Sequence, residues 1–136
     1  MLTTAANVRA LANWPAAVTD AKLAPHIAGA ARELERLIGA ETYAALVAAE
    51  ADDASRLAGV EIEGCLAIAE AIPALHLFSV DAGPTIPKDV EDTEFSYLDP
   101  EQAAKQAEIW RARADRRLAQ WDFTPDDPPT TRMYAI

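Results

Sequence analysis

Two histidines, one cysteine and three serines are the residues of this 136-residue chain best suited to acid–base or nucleophilic chemistry. His26 and His76 lie 50 residues apart. They form no HExxH or comparable pair, the spacing that sets two imidazoles on one helical face to hold zinc. His76 falls in an apolar run and reads as a satisfied core histidine; His26 reads as a surface residue. Ser55, Ser79 and Ser96 have no evident base beside them, and no GxSxG, P-loop or GxGxxG occurs. Cys65 sits beside Leu66, Ala67 and Ile68 and reads as a small buried hydrophobe rather than an activated thiol. As the lone cysteine it excludes an intramolecular disulfide and a cysteine-based zinc site, and it fits a reducing compartment.

The acids complete no catalytic or metal pattern either. Asp89, Glu91 and Thr93 have the alternate spacing of a calcium loop's first ligands, but Glu94 stands where the loop needs glycine. Pro100 stands where it needs a bidentate glutamate. A solvated or partner-facing acidic loop is the better reading. Glu70 is the only formal charge between Glu63 and Asp81, and is expected to pair with a helix-borne arginine such as Arg32 or Arg113. A catalytic acid would need a second positioned group, and the sequence offers none. No catalytic residue, cofactor or metal is therefore expected, and the chain reads as a non-enzyme.

What remains is a binding pattern. After Trp121 the sequence DFTPDDPPTTRMYAI is proline-broken and reads as an extended tail over 122–136. It closes on Met133, Tyr134 and Ile136, which a short extension cannot bury alone. Pro128, Pro129, Arg132, Met133, Tyr134 and Ile136 are accordingly the candidate partner interface, for instance as a strand added to an exposed sheet edge. The alternative is an end that is disordered or folded back on its own domain.

The elements that would carry these groups are helical. Thr3 or Thr4 caps a short helix to about Leu11, with Val8 and Leu11 as its apolar contacts, and the residue before Pro15 ends it. Thr19 or Asp20 caps a long amphipathic helix in which Leu23, Ile27, Ala30, Leu34 and Leu37 share one face. Pro25 comes early in it, so either the first turn is irregular or the regular helix begins near Ala24. Gly39 takes the position of a left-handed cap. Tyr43, Leu46 and Val47 form the stripe of a second, short helix.

Beyond an acidic connection, Glu50 to Ser55, a helix is expected from about Ala54 to Val80, kinked or divided at Pro73. Leu57, Ile62, Cys65, Leu66, Ile68, Ile72, Leu75 and Phe78 cover nearly all its faces from Gly64 on, as in a helix surrounded by others. Asp81 to Leu98 breaks the pattern and carries five acids against Lys88. Asp99, Pro100 and Gln102 then open the last helix as cap, first position and capping-box partner. Ala103, Ala107, Trp110, Ala114 and Leu118 line one face, extended by Trp121. Arg111, Arg113, Arg116 and Arg117 complement the dipole of its last turns.

The expected fold is therefore all-α, a small bundle of about four to five helices over 1–121 with a long acidic loop and an extended C-terminal tail. Hydrophobic residues make up 51% of the chain, but alanine supplies much of that and aromatics only 7%, which favours helix over a heavily packed core. A net charge of −10 argues against direct binding to nucleic acid or an anionic membrane. The N-terminus lacks the basic and apolar regions of a signal peptide, and the apolar run Gly64–Val80 is interrupted by Glu70, Pro73 and His76. A soluble chain, intracellular when made, is expected.

The order of parts resembles a family. A short helix precedes TDAKLAPHIAGAARELERLIGAETYAAL, which ends one helix in Ile38-Gly39 and opens a Tyr43-x-x-Leu46 segment. An alanine-rich apolar helix, a Gly/Pro loop and DPEQAAKQAEIWRARADRRL follow. Over about Leu2 to Trp121 this is similar to the head–tail connector proteins of tailed bacteriophages, also called adaptor or head-completion proteins. The resemblance implies a structural virion protein, made in the host cytoplasm, that forms a ring, commonly of twelve copies, beneath the portal protein. Such a ring extends the DNA channel, completes the head and receives the stopper or tail-completion protein. It implies that a C-terminal extension grips the portal. DNA would pass without specific binding, with Asp89, Glu91, Asp92 and Glu94 facing the channel or a neighbouring copy. An acidic helical protein that mimics DNA or inhibits a partner by charge is the alternative, and a helical enzyme comes third.

Overall fold

The described residues, 1–75 and 100–121 of a computed structural model, form five α-helices and no strand. The fold is the expected all-α bundle. Helix α1 (Ala5–Ala12) starts at Thr4, whose hydroxyl accepts the N–H of Asn7 at 3.1 Å. It runs one residue past the expected Leu11, to Ala12, and is stopped by Asn13 before the Trp14-Pro15 step. Asn13 is left-handed (φ 61°, ψ 41°), its N–H reaches Ala10 O, and the Trp14 N–H reaches Arg9 O at 2.9 Å. That paired closure is a Schellman stop, and asparagine tolerates it better than most residues.

Helix α2 (Asp20–Ile38) is capped by Thr19, with Asp20 inside the first turn, and runs unbroken through Pro25. Its inward face is Leu23, Ile27, Ala30, Ala31 and Leu34. Leu37, expected on that face, is 44% exposed. The stripe drifts off the contact in the last turn, and Ile38 packs against the core instead. Gly39 joins α2 directly to α3 (Ala40–Ala48) at φ 94°, ψ 149°. This is not the left-handed cap. It is an extended positive-φ conformation that only glycine takes at low cost, and it turns the chain sharply between the two helices. In α3, Tyr43 and Leu46 are buried while Val47 is 42% exposed, so the stripe is narrower than expected. Arg56 closes the far end of α3: its Nη1 donates to the carbonyls of Leu46, Val47 and Ala49 at 3.3, 2.6 and 3.0 Å.

Helix α4 (Ala54–Leu75) is the axis on which α1, α2, α3 and α5 (Pro100–Gln120) all pack. Every residue from Ile62 to Ala69 is buried, as the all-round apolar pattern predicted. Pro73 leaves the helix continuous to Leu75. Leu57 departs from its expected place and is 53% exposed although Ala58 and Gly59 beside it are buried, so it stands on a side of α4 that the neighbouring helices leave open. His76, Phe78 and the loop to Asp99 lie outside the described residues. Helix α5 lays Ala103, Gln106, Trp110 and Ala114 on α4, and its small alanines let the Trp110 indole fill the contact. No described helix is long and apolar enough to cross a membrane.

Candidate functional site

The most enclosed polar group of the described residues is one the sequence did not single out. Glu63 stands mid-way along α4 between Ile62 and Gly64 and has no exposed surface. Its Oε1 accepts the backbone N–H groups of Leu2 and Thr3 at 2.9 and 3.0 Å, and its Oε2 accepts the Tyr43 phenol at 2.6 Å. A buried carboxylate without such donors would be very costly, and three donors in the apolar interior are what hold this one in place. Burial, followed by the bond to Glu63, raises the Tyr43 hydroxyl above its ordinary range. The carboxylate thus pins residues 1–4, α3 and α4 at a single point. Leu2 and Thr3 are buried beneath this pin, and the Thr3 hydroxyl has no partner among the described residues. Tyr43 was legible as an apolar contact, but backbone N–H donors carry no sequence signature.

A second polar group bridges α2, α4 and α5. His26 Nδ1 lies 3.4 Å from Glu70 Oε1, so Glu70 meets this histidine, a partner the sequence reading did not propose. Its reason is Gly29. The Glu70 carboxylate lies so close to the α2 backbone there that a Cβ at Gly29 would stand 2.6 Å from Oε2. His26 is therefore largely covered, not a free surface residue. One turn along α2, Glu33 accepts two bonds from Arg111 at 2.7 and 3.4 Å, and that pairing raises the Arg111 guanidinium. A glycine inside an amphipathic helix was the signal that could have located this approach.

Further along α5, Arg117 donates to Glu61 at 3.1 Å and lies over the Trp121 ring, while Arg113 lies over Trp110. The Trp121 indole N–H donates to Ser55 Oγ at 3.0 Å, which fixes the end of α5 beside the start of α4. Cys65 is buried, and desolvation outweighs the nearby charge of Arg113 and pushes its thiol up to about 11.

Chemically, these arrangements hold helix to helix. A His–carboxylate pair can orient a general base, but no hydroxyl or thiol nucleophile is recorded against His26 among the described residues. Nor do three His, Cys, Asp or Glu side chains gather there as a metal would need. The residues assigned to a partner interface (Pro128, Pro129, Arg132, Met133, Tyr134, Ile136) and the acids Asp89, Glu91, Asp92 and Glu94 all lie outside the described residues. No family model matches the chain, no curated protein matches its sequence, and no solved structure matches its fold.

Proposed function

We propose that the chain is a non-enzymatic structural subunit of the head–tail interface of a tailed bacteriophage. In this reading it assembles as a ring, of about twelve copies by the family resemblance, beneath the portal. The ring lengthens the DNA channel and receives a stopper or tail-completion protein on its other side. Its C-terminal segment grips the portal through Met133, Tyr134 and Ile136.

The observation that carries the reading is how charge divides between the bundle and the rest of the chain. The 97 described residues hold 13 acids and 10 bases, and four of those bases, Arg9, Arg56, Arg111 and Arg117, tie one element to another. Residues 76–99 hold six acids and one base, and residues 122–136 three acids and one base. These 39 residues therefore account for −7 of the net −10. A helical body with its acid surplus in the two segments outside it suits a channel subunit, since clustered carboxylates repel passing DNA instead of holding it. The helix order, with the Ile38-Gly39 break and the enclosed α4, supports the same reading.

The same surplus would serve an acidic DNA mimic, which acts as a monomer that displaces DNA from a nuclease or similar partner. Deleting Thr124 to Ile136 separates the two. A connector loses portal binding and keeps its fold, whereas unchanged portal affinity after deletion removes the tail from the account.

A further inference from the structure

Residues 1–4 and α3 lie far apart in the chain, yet one side chain holds both. Glu63 turns Oε1 to the N–H groups of Leu2 and Thr3 and Oε2 to the Tyr43 phenol. Helix α1, which follows residues 1–4, and α3 each pack on α2 and α4 but not on each other. Glu63 has no exposed surface, so with both segments in place its carboxylate is shielded from solvent. Departure of either segment opens the carboxylate to water, and water then competes for its bond to the other. The enclosed charge makes the two attachments interdependent.

Away from this point α3 is lightly held. It has nine residues, too few to be stable alone, and buries only Tyr43 and Leu46. No side chain caps its start, where Gly39 stands at φ 94°. Its far end depends on Arg56, which holds the carbonyls of Leu46, Val47 and Ala49. Residues 1–4 bury Leu2 and Thr3, the latter with a hydroxyl that no described residue satisfies. The remaining bundle has ties of its own. Glu33 and Arg111 join α2 to α5, while Glu61–Arg117 and Ser55–Trp121 join α4 to the end of α5.

We propose that residues 1–4 and α3 form one opening unit, coupled through Glu63, that leaves the α2–α4–α5 body as a pair. The coupling is reciprocal. A partner that draws α3 away by its outer face, where Val47 is exposed, frees Leu2 and Thr3, and one that draws out residues 1–4 loosens α3. The device belongs to the isolated chain and does not depend on which partner the assembled protein meets.

The test is native-state amide exchange of the full chain, followed by NMR at neutral pH. Corrected for intrinsic rates, Leu2, Thr3 and the hydrogen-bonded amides of α3 should share one protection factor within about twofold. That factor should lie at least about tenfold below the protection of Leu66 to Ile72 in α4. Arg56→Ala removes the contacts at the far end of α3, about two turns of α4 from Glu63. It should speed exchange at Leu2 and Thr3 by the same factor as in α3, about threefold to tenfold. Tyr43→Phe, which cuts the link itself, should speed both segments by about tenfold or more. Different protection in the two segments, protection equal to that of α4, or Leu2 and Thr3 unchanged in Arg56→Ala would each overturn the proposal.

Discussion

Replacing Tyr43 with phenylalanine tests whether the buried carboxylate is the pin of the fold. The change removes one oxygen and leaves Glu63 with only the two amides of Leu2 and Thr3. A hydrogen bond to a charged, enclosed group contributes about 1.5–3 kcal/mol. Tyr43→Phe should therefore cost about 2 kcal/mol, or a fall of about 1 M in the urea midpoint. Glu63→Ala should cost more, about 3–5 kcal/mol, because it strands two backbone N–H groups and a phenol and opens a cavity. Urea melts followed by circular dichroism give both values, and a cycle with Glu63→Gln gives the coupling between the two side chains.

The Tyr43 proton supplies an independent check. Its folded pKa is raised, so this group's contribution is fully present below about pH 10 and is lost as pH climbs towards the folded value. Stability of the native chain should fall more steeply above pH 10 than that of Tyr43→Phe. A Tyr43→Phe midpoint equal to wild type, with the same alkaline slope, would refute the pin.

Other outcomes follow from single contacts. Gly39→Ala should destabilise by about 1–3 kcal/mol in thermal melts although no atom lies within 4 Å of the added methyl, because the cost is backbone strain at φ 94°. Gly29→Ala should swing Glu70 away from His26, which the NMR chemical shifts of the His26 ring protons will register. Its net effect on stability should stay within about 1 kcal/mol, since helix propensity gains offset the lost pair. Thr3→Val should stabilise by about 1 kcal/mol by removing a buried hydroxyl without a partner. Cys65 should resist thiol reagents at pH 8 in the native chain and react fully in urea.

The helices were legible because their signals are local. Thr4 and Thr19 at the caps, the Leu23–Leu34 stripe and Pro100 at the start of α5 each act within a turn or two of the residue that shows them. Leu37, Val47 and Leu57 were misplaced for one shared reason. Periodicity defines a face but not how much of it, in length or width, the neighbouring helices cover, and all three are left exposed. Glu63 was illegible as a site because its partners include backbone amides some 60 residues away. Glu70 was expected to seek an arginine by charge alone. A missing side chain at Gly29 decided its position instead, and brought it to His26.

The central claim, a ring subunit of a phage head–tail interface, is tested most directly by native mass spectrometry and electron microscopy of the full chain mixed with the portal protein of the same phage. The account predicts a closed ring of a single stoichiometry, near twelve, stacked on the portal and lost when residues 124–136 are removed. A chain that remains monomeric beside the portal at every concentration would contradict it.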